Sequence, residues 1–348
     1  MCAAVAGLLL LAAAAGCDGL RYVTHLAEGQ LRISGETEAI EDVLASGRLS
    51  EDEAAKLRVA VAAREYAKNV IGLNAGNSYS RFYDTGGNPL VFNLSAARRD
   101  RLEPYIWVFP IVGSFPYLGF FDEAYLREVQ QDLERDGYDT FVYAADAYST
   151  LGVFEDPIRS PMLKRDVVSL VDTIIHEILH NTIWRPNDTE FNETLATFVG
   201  QQGAIEFFTS QYDPELGLAE YAALRFEDEA VINRFLIEIH DALAAYYAQP
   251  LDSASRIAGR EAEFERLRRR FIEEIQPTLN FPENNAYYGA FPTNNAWVLA
   301  LSRYNYDLDL MRRVYEEAGR SWPAALRVFA DAAASDRPFQ YLREWLGD

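Results

Sequence analysis

The chain has 348 residues, 49% hydrophobic and 13% aromatic, enough apolar material for one large core or two closely packed ones. Its 53 acidic residues outnumber its 32 basic ones, giving a net charge of −21. Such a surface repels nucleic-acid phosphates and anionic membrane surfaces, so no nucleic acid is expected as a partner; peptides are not excluded.

Met1 to Gly16 reads MCAAVAGLLLLAAAAG. This apolar run is too short to span a bilayer and ends in small residues, as a signal peptide does. Ala14-Ala15-Gly16-Cys17 resembles a lipoprotein signal-peptidase site. Residues 1–16 are therefore the expected signal peptide, and Cys17 the expected lipidated first residue of an anchored segment, 17–35. The absence of Lys and Arg before the apolar run departs from the usual signal pattern. With Cys2 removed and Cys17 acylated, no thiol is left for an intrachain disulfide. Gly19 to Ile33 is amphipathic, and His25 within it reads as a packing or surface histidine.

Ser50-Glu51-Asp52-Glu53 is a capping box. It opens a helix expected to reach Ile71, with Ala54, Leu57, Val61 and Ala62 on its apolar face. Arg81–Tyr83 and Pro89–Leu94, either side of Gly86-Gly87-Asn88, read as a hairpin. Trp107–Val112 and Tyr117–Phe121 read as strands separated by Gly113-Ser114-Phe115-Pro116. Asp122 caps a helix reaching Asp136, Gly137 ends it, and Thr140–Ala144 is a further strand. Ala147–Phe154 reads either as an ordinary sheet strand or as an edge strand that holds a substrate backbone by strand addition. Tyr148, Ser149, Thr150 and Glu155 are accordingly candidates for substrate binding.

Val167–Val199 carries the chemistry. His176-Glu177-Ile178-Leu179-His180 is an H-E-x-x-H, and Glu193 follows His180 by thirteen residues. Residues four apart on a helix share a face, so two imidazoles at that spacing can converge on one ion at about 2.0–2.1 Å. Val167, Val168, Leu170, Val171, Ile174, Ile175, Ile178 and Leu179 make the rest of the helix apolar, which places it in a core. Its polar stripe is Ser169, Thr173, His176 and His180. Polar groups there need partners, and a metal supplies them. Glu177 sits at the edge of the stripe, placed as a general base towards a metal-bound water. Pro186 breaks the helix and Asp188 caps the next, which brings Glu193 back as third ligand. Ala196, Gly200, Gly203 and Ala204 allow close helix approach. The reading is one Zn2+ on His176, His180 and Glu193; the alternative is a helix with two satisfied core histidines.

The remainder is helical: Glu220–Ala248, Ile257–Ile275 with a seam of Phe264, Leu267, Phe271 and Ile275, then Asp307–Ala318, Trp322–Ala334 and Phe339–Leu346. His240 reads as structural. Asn284-Asn285-Ala286 recurs as Asn294-Asn295-Ala296 around an aromatic, Pro/Gly-bearing stretch of the kind that lines sites. Within it Tyr287 or Tyr288 is placed as an oxyanion donor or as a packing aromatic; Tyr288 is the catalytic candidate.

These motifs together resemble those of the bacterial lipoprotein aminopeptidases, zinc peptidases of gluzincin type. The resemblance runs through Gly16-Cys17, Gly29-Gln30-Leu31, Trp107-x-Phe109-Pro110, Tyr117-x-Gly119-x-Phe121-Asp122, Ala147–Gly152, Asp156-Pro157, the H-E-x-x-H, Asp188-Thr189-x-Phe191-Asn192-Glu193 and Asn284-Asn285-Ala286. It implies zinc ligands at His176, His180 and Glu193, and a base at Glu177. It also implies a cell-envelope protein, lipid-anchored and periplasm-facing, acting on peptides. Relatives carry cysteines where Val108 and Ser114 stand, so a disulfide of theirs is missing here. The Asn294-Asn295 stretch departs from the relatives' tyrosine-bearing version.

The expected fold is α+β: a small mixed sheet, an active-site helix pair, and a helical C-terminal half. Residues 36–348 form the peptidase domain, with 36–211 holding the sheet and zinc helices and 212–348 the helical part. The expected function is zinc-dependent peptide hydrolysis, as an aminopeptidase. A zinc endopeptidase and a non-catalytic, zinc-stabilised envelope protein that binds a partner are the alternatives. For an aminopeptidase, Glu155, Asp156 and Glu190 are the candidate anchors of the substrate ammonium.

Overall fold

The computed structural model describes residues 16–86, 90–109, 113–145, 155–302 and 307–348. The architecture is α+β, helices with small sheets. Helix α1 spans Gly16–Glu36; strand β1 (Glu38–Ala39) leads into α2 (Ile40–Ser46) and α3 (Glu51–Tyr66), which continues as a π-helical turn, Ala67–Ile71. The capping box of α3 is formed: the Ser50 N–H donates to the Glu53 carboxylate at 2.9 Å, and the Glu53 N–H donates to Ser50 Oγ at 3.2 Å. Strands β2 (Arg81–Tyr83), β3 (Val91–Arg98), β4 (Trp107–Phe109), β5 (Gly113–Phe115) and β6 (Tyr117–Phe120) precede α4 (Glu123–Arg135), capped by Asp122. Then come β7 (Tyr138–Ala145), β8 (Ile158–Arg159), α5 (Val167–His180), α6 (Thr189–Gln211), α7 (Leu218–Tyr247) and α8 (Ser253–Arg270). Helices α9 (Asn295–Ser302), α10 (Leu308–Glu317), α11 (Trp322–Ala334) and α12 (Pro338–Leu346) complete the chain.

The chain divides into two compact units that interleave in sequence. The first takes residues 1–36, 89–145 and 234–303; the second takes 37–88, 146–233 and 304–348.

The first unit is built on the antiparallel sheet β6-β3-β7. Leu94, Leu118 and Phe120 from the sheet pack with Tyr22 of α1 and with Leu126 and Leu133 of α4. His25 behaves as a packing histidine: its Nε2 accepts the Phe121 N–H at 2.9 Å, and its ring meets Phe120, Phe121 and Tyr125. Strands β4 and β5 form a hairpin in which Val108 faces Ser114. Gly113–Phe115 is thus a strand, although its Gly and neighbouring Pro mark it as a separator; the register with Trp107–Phe109 overrides that local signal.

The second Asn-Asn pair is a buried clamp. The Arg260 guanidinium grips Asp139 through two bonds of 2.6 and 2.9 Å, and the Asn295 N–H donates to the same carboxylate at 2.8 Å. Asn295 Nδ2 donates to the Arg98 carbonyl at 2.8 Å, and Asn295 Oδ1 accepts the Tyr247 hydroxyl at 3.0 Å. Asn294 Nδ2 donates to the Thr140 carbonyl at 2.7 Å. These bonds hold α9 against β3 and β7. Asn295→Ala strips several buried groups of their partners at once, so it should destabilise the protein by about 2–4 kcal/mol. The check is a lowered urea midpoint with unchanged slope.

The second unit holds the larger core, in which Leu57, Ala60, Ala63 and Ile71 meet Val168, Val171, Ile174, Ile175 and Ile178 of α5, and Phe191, Leu195, Val199 and Phe207 of α6. Two expectations change. The buried face of α3 runs through Leu57, Ala60, Ala63 and Tyr66, while Ala62 is exposed; apolar alanines populate both faces and do not fix the helix's rotation. The hairpin of Arg81–Tyr83 with residues 89–94 does not form. β2 pairs antiparallel with β1 and parallel with β8, whereas β3 starts at Val91 in the other sheet and is paired with β7 along all eight residues. A turn signal reports chain reversal; the fully buried Phe82 and Leu94 each follow their own core.

Candidate metal centre

Helix α5 begins at Asp166, whose carboxylate accepts the Val168 and Ser169 N–H groups at 3.0 and 3.1 Å. Fourteen residues later it ends at His180, with Asn181 as C-cap, well before Pro186. The return is held by Asn192. Its Oδ1 accepts the Arg185 N–H at 2.8 Å, and its Nδ2 donates to the Arg185 carbonyl at 2.7 Å. Asn192 is buried and adjoins Glu193, so this reciprocal pair fixes where Glu193 enters. Asp188 caps α6 through the Phe191 N–H at 3.1 Å, as its position predicts.

The two helices run antiparallel. Glu193 stands opposite His180 and His176, while Gly200 stands opposite His176 and Asp172. A methyl group on Gly200 would overlap the Asp172 carboxylate and lie 3.0 Å from the Asp172 carbonyl oxygen and 3.2 Å from His176 Cβ. At Gly203 it would lie 2.9 Å from Ile71 Cδ1.

His176 Nε2 lies 3.3 Å from Glu193 Oε2, and His180 Nε2 lies 3.5 Å from Glu193 Oε1. One donor atom from each of the three residues falls within 4.8 Å of the other two. Ligands bound tetrahedrally at 2.0–2.1 Å are about 3.3 Å apart, so the two carboxylate–imidazole separations match a shared zinc. The donor set, two imidazoles and one carboxylate, also suits zinc. Among the described residues this is the one such group of His, Cys, Asp and Glu.

Electrostatics separate the two histidines. Burial works against a charge on His176, but the hydrogen bond to Glu193 and the carboxylates of Glu177, Glu193 and Asp172 prevail and raise it to about 9. Burial and the neighbouring His176 push His180 down to about 4. Burial would raise Glu193, yet its bond to His176 and the charges of both imidazoles hold it below the usual carboxylate range. Burial raises Glu177 to about 7, with His176 and Arg159 opposing and Glu193 and Asp156 adding to the rise. Asp172 also reaches about 7, through burial and the charge of Glu229.

Only part of the polar stripe turns to the candidate metal. Ser169 accepts Arg225 Nη1 at 2.8 Å, and Thr173 accepts Arg165 Nη1 at 3.1 Å. Arg225 also pairs with Asp166, and with Glu229 at 3.2 Å. Arginines from outside the helix thus satisfy half of a stripe whose pattern suggests a metal for all of it.

Of the other candidates, Tyr148, Ser149 and Thr150 lie outside the described residues. Glu155 is exposed and accepts Asn77 Nδ2 at 2.7 Å. Asp156 is buried, and Glu190 is exposed in the first turn of α6. Tyr288 belongs to the first unit, where its ring packs on Tyr287 and Phe271. His240, partly exposed, sits 3.1 Å from Asp241 and forms no part of the cluster. The sequence reading missed Arg159, fully buried and close enough to act on Glu177, and gave no role to Asp172 or Asn192. Asp172 carried a legible signal, being one turn ahead of His176. Arg159 carried none, because a two-residue strand places it.

A histidine pair and a returning glutamate on two closely packed helices form a candidate metal cluster, with the Glu177 carboxyl next to His176 in the chain. Residues 21–338 match the family model described as "Putative aminopeptidase", and the chain belongs to that family. No curated protein and no solved structure matches it.

Gly→Ala inside a helix ordinarily gains up to about 1 kcal/mol. Here the sign should reverse: Gly200→Ala should cost about 1–3 kcal/mol by overpacking the α5–α6 contact. Gly217→Ala, at φ 64° outside that contact, is the control for backbone strain alone. Both are read by chemical denaturation.

Proposed function

We propose that this chain is a zinc-dependent aminopeptidase of gluzincin type. His176, His180 and Glu193 are the ligands and Glu177 is the general base. The observation that carries the reading is the meeting of two imidazoles and a carboxylate within 4.8 Å, the carboxylate 3.3 and 3.5 Å from the two rings, with the Glu177 carboxyl next to one of them in the chain. Membership of the aminopeptidase family supports the reaction class. In the same reading Cys17 carries the lipid that holds the enzyme at the bacterial envelope, facing the periplasm.

When bound, zinc supplies a Lewis acid and lowers the pKa of a coordinated water towards about 7. The protein supplies the rest. Glu193 completes the ligand set because Asn192 fixes the turn before it. Glu177 takes a proton as water attacks the scissile carbonyl carbon, then gives it to the amine nitrogen as the C–N bond breaks. A carboxyl near pKa 7 suits both halves of that transfer. Arg159 lowers and Asp156 raises the Glu177 pKa, each by less than burial does.

Hydrolysis of free and N-acetylated peptides, with zinc assayed on each protein, tests the reading. Glu177→Gln should retain zinc and lose about 10²–10⁴ in rate. Glu193→Gln should lose both zinc and activity. Acetylated peptides should survive. A wild type that holds zinc yet cleaves nothing across a broad peptide set defeats the proposal; preference for blocked peptides turns it into an endopeptidase.

Zinc must displace the proton that the surrounding carboxylates hold on His176. Because that pKa is raised to about 9, protons compete with zinc throughout the neutral range. Zinc affinity should therefore climb about tenfold per pH unit from pH 7 towards 9, and the zinc-induced rise in Tm should be larger at pH 8 than at pH 6. Titration calorimetry at three pH values checks both slope and sign.

A further inference from the structure

Trp184 lies four residues beyond His180, and its ring meets the His180 imidazole edge-to-face, with centroids 5.5 Å apart and planes at 82°. It nevertheless leaves 42% of its surface open. An exposed aromatic on a mobile loop would mean little, but this one sits between fixed points. Ile183, just before it, is buried, and Asn74 N–H donates to Thr182 Oγ1 at 2.9 Å. Just after it, Arg185 is tied by its backbone to Asn192. The Arg185 side chain bonds Asp188 at 2.9 Å, the carbonyl of Ala333 at 2.8 Å and that of Asp336 at 3.1 Å, and also bonds the carbonyl of Ser335. The indole is thus presented by an anchored backbone, partly open to solvent, against a residue of the candidate metal triad. Contact with an apolar group there needs no further ordering of the protein.

We propose that Trp184 is the wall of a subsite for a large apolar side chain, making peptides with a bulky apolar residue beside the cut bond the preferred substrates. This rests on the peptidase reading and names its substrate class. Trp184 determines specificity and takes no part in proton transfer. Discrimination of one side-chain size from another in an apolar pocket amounts to about 10–200-fold.

The test measures binding of glycine, leucine and phenylalanine hydroxamates, whose chelating group is constant while the side chain varies, to the zinc-loaded full chain. Zinc content and peptide hydrolysis are assayed alongside. Wild type should bind the leucine and phenylalanine compounds at least about tenfold tighter than the glycine compound. Trp184→Ala should erase that preference while glycine hydroxamate binds as before, and Trp184→Phe should restore it. Equal affinities in wild type, or a preference that survives in Trp184→Ala, overturn the proposal. If Trp184→Ala sheds zinc, Trp184→Ser is read in the same way; loss of zinc there too makes the ring a support for His180 and overturns the proposal. Binding selectivity without hydrolysis would sink the peptidase reading and leave Trp184 in place, whereas hydrolysis without selectivity would do the reverse.

Discussion

A carboxylate held 3.3 Å from one imidazole and 3.5 Å from another, with little water to screen it, is the constraint on which the second unit depends. Such a group is costly to bury unless its charge is met. Most of what surrounds it serves that meeting. The α5–α6 contact is close because glycine at 200 and 203 leaves room for it. The turn between the helices is fixed by a side-chain amide that satisfies one backbone donor and one backbone acceptor together. If either device relaxed, Glu193 would leave the histidines, and the buried His180 and the half-buried His176 and Glu193 would lose their partners.

Around that centre charge is graded rather than cancelled. Burial above all raises Asp172 and Glu177 to about 7, whereas His176, against its burial, is lifted by its bond to Glu193 and by the carboxylates of Glu177, Glu193 and Asp172. The arginines are spread over distinct tasks. Arg225 joins Asp166, Ser169 and Glu229, Arg165 reaches Thr173, and Arg159 stands within the field of Glu177. The outcome is a helix that is apolar where it meets the core, while Ser169, Thr173, His176 and His180 each meet a polar or charged partner from outside it.

The first unit also holds a buried carboxylate. Asp139 is buried, and Arg260 together with the Asn295 backbone answers it, while Tyr247 and the Arg98 carbonyl use up the Asn295 side chain. A recurring Asn-Asn-Ala in an aromatic stretch therefore has two fates. The second copy is a clamp whose bonds to the Thr140 and Arg98 carbonyls span 154 and 197 positions of the chain. The first lies in a short 3-10 helix with Tyr287 and Tyr288.

The sequence by itself determined whatever acts over a turn or two. The capping box at Ser50, the N-caps at Asp122 and Asp188, the apolar body of α5, and the four-residue spacing of His176 and His180 are local relations, and local pattern reports them directly. Glu193 was legible because its helix returns after a short link. Tertiary structure decided the rest. It settled which sheet each strand joined, since Arg81–Tyr83 and Val91–Arg98 are neighbours in the chain but belong to different cores. It also settled which polar residues were answered by distant arginines, and the burial that raises Asp172 and Glu177. Long-range pairing and desolvation depend on what else is packed nearby, and no local pattern carries that information.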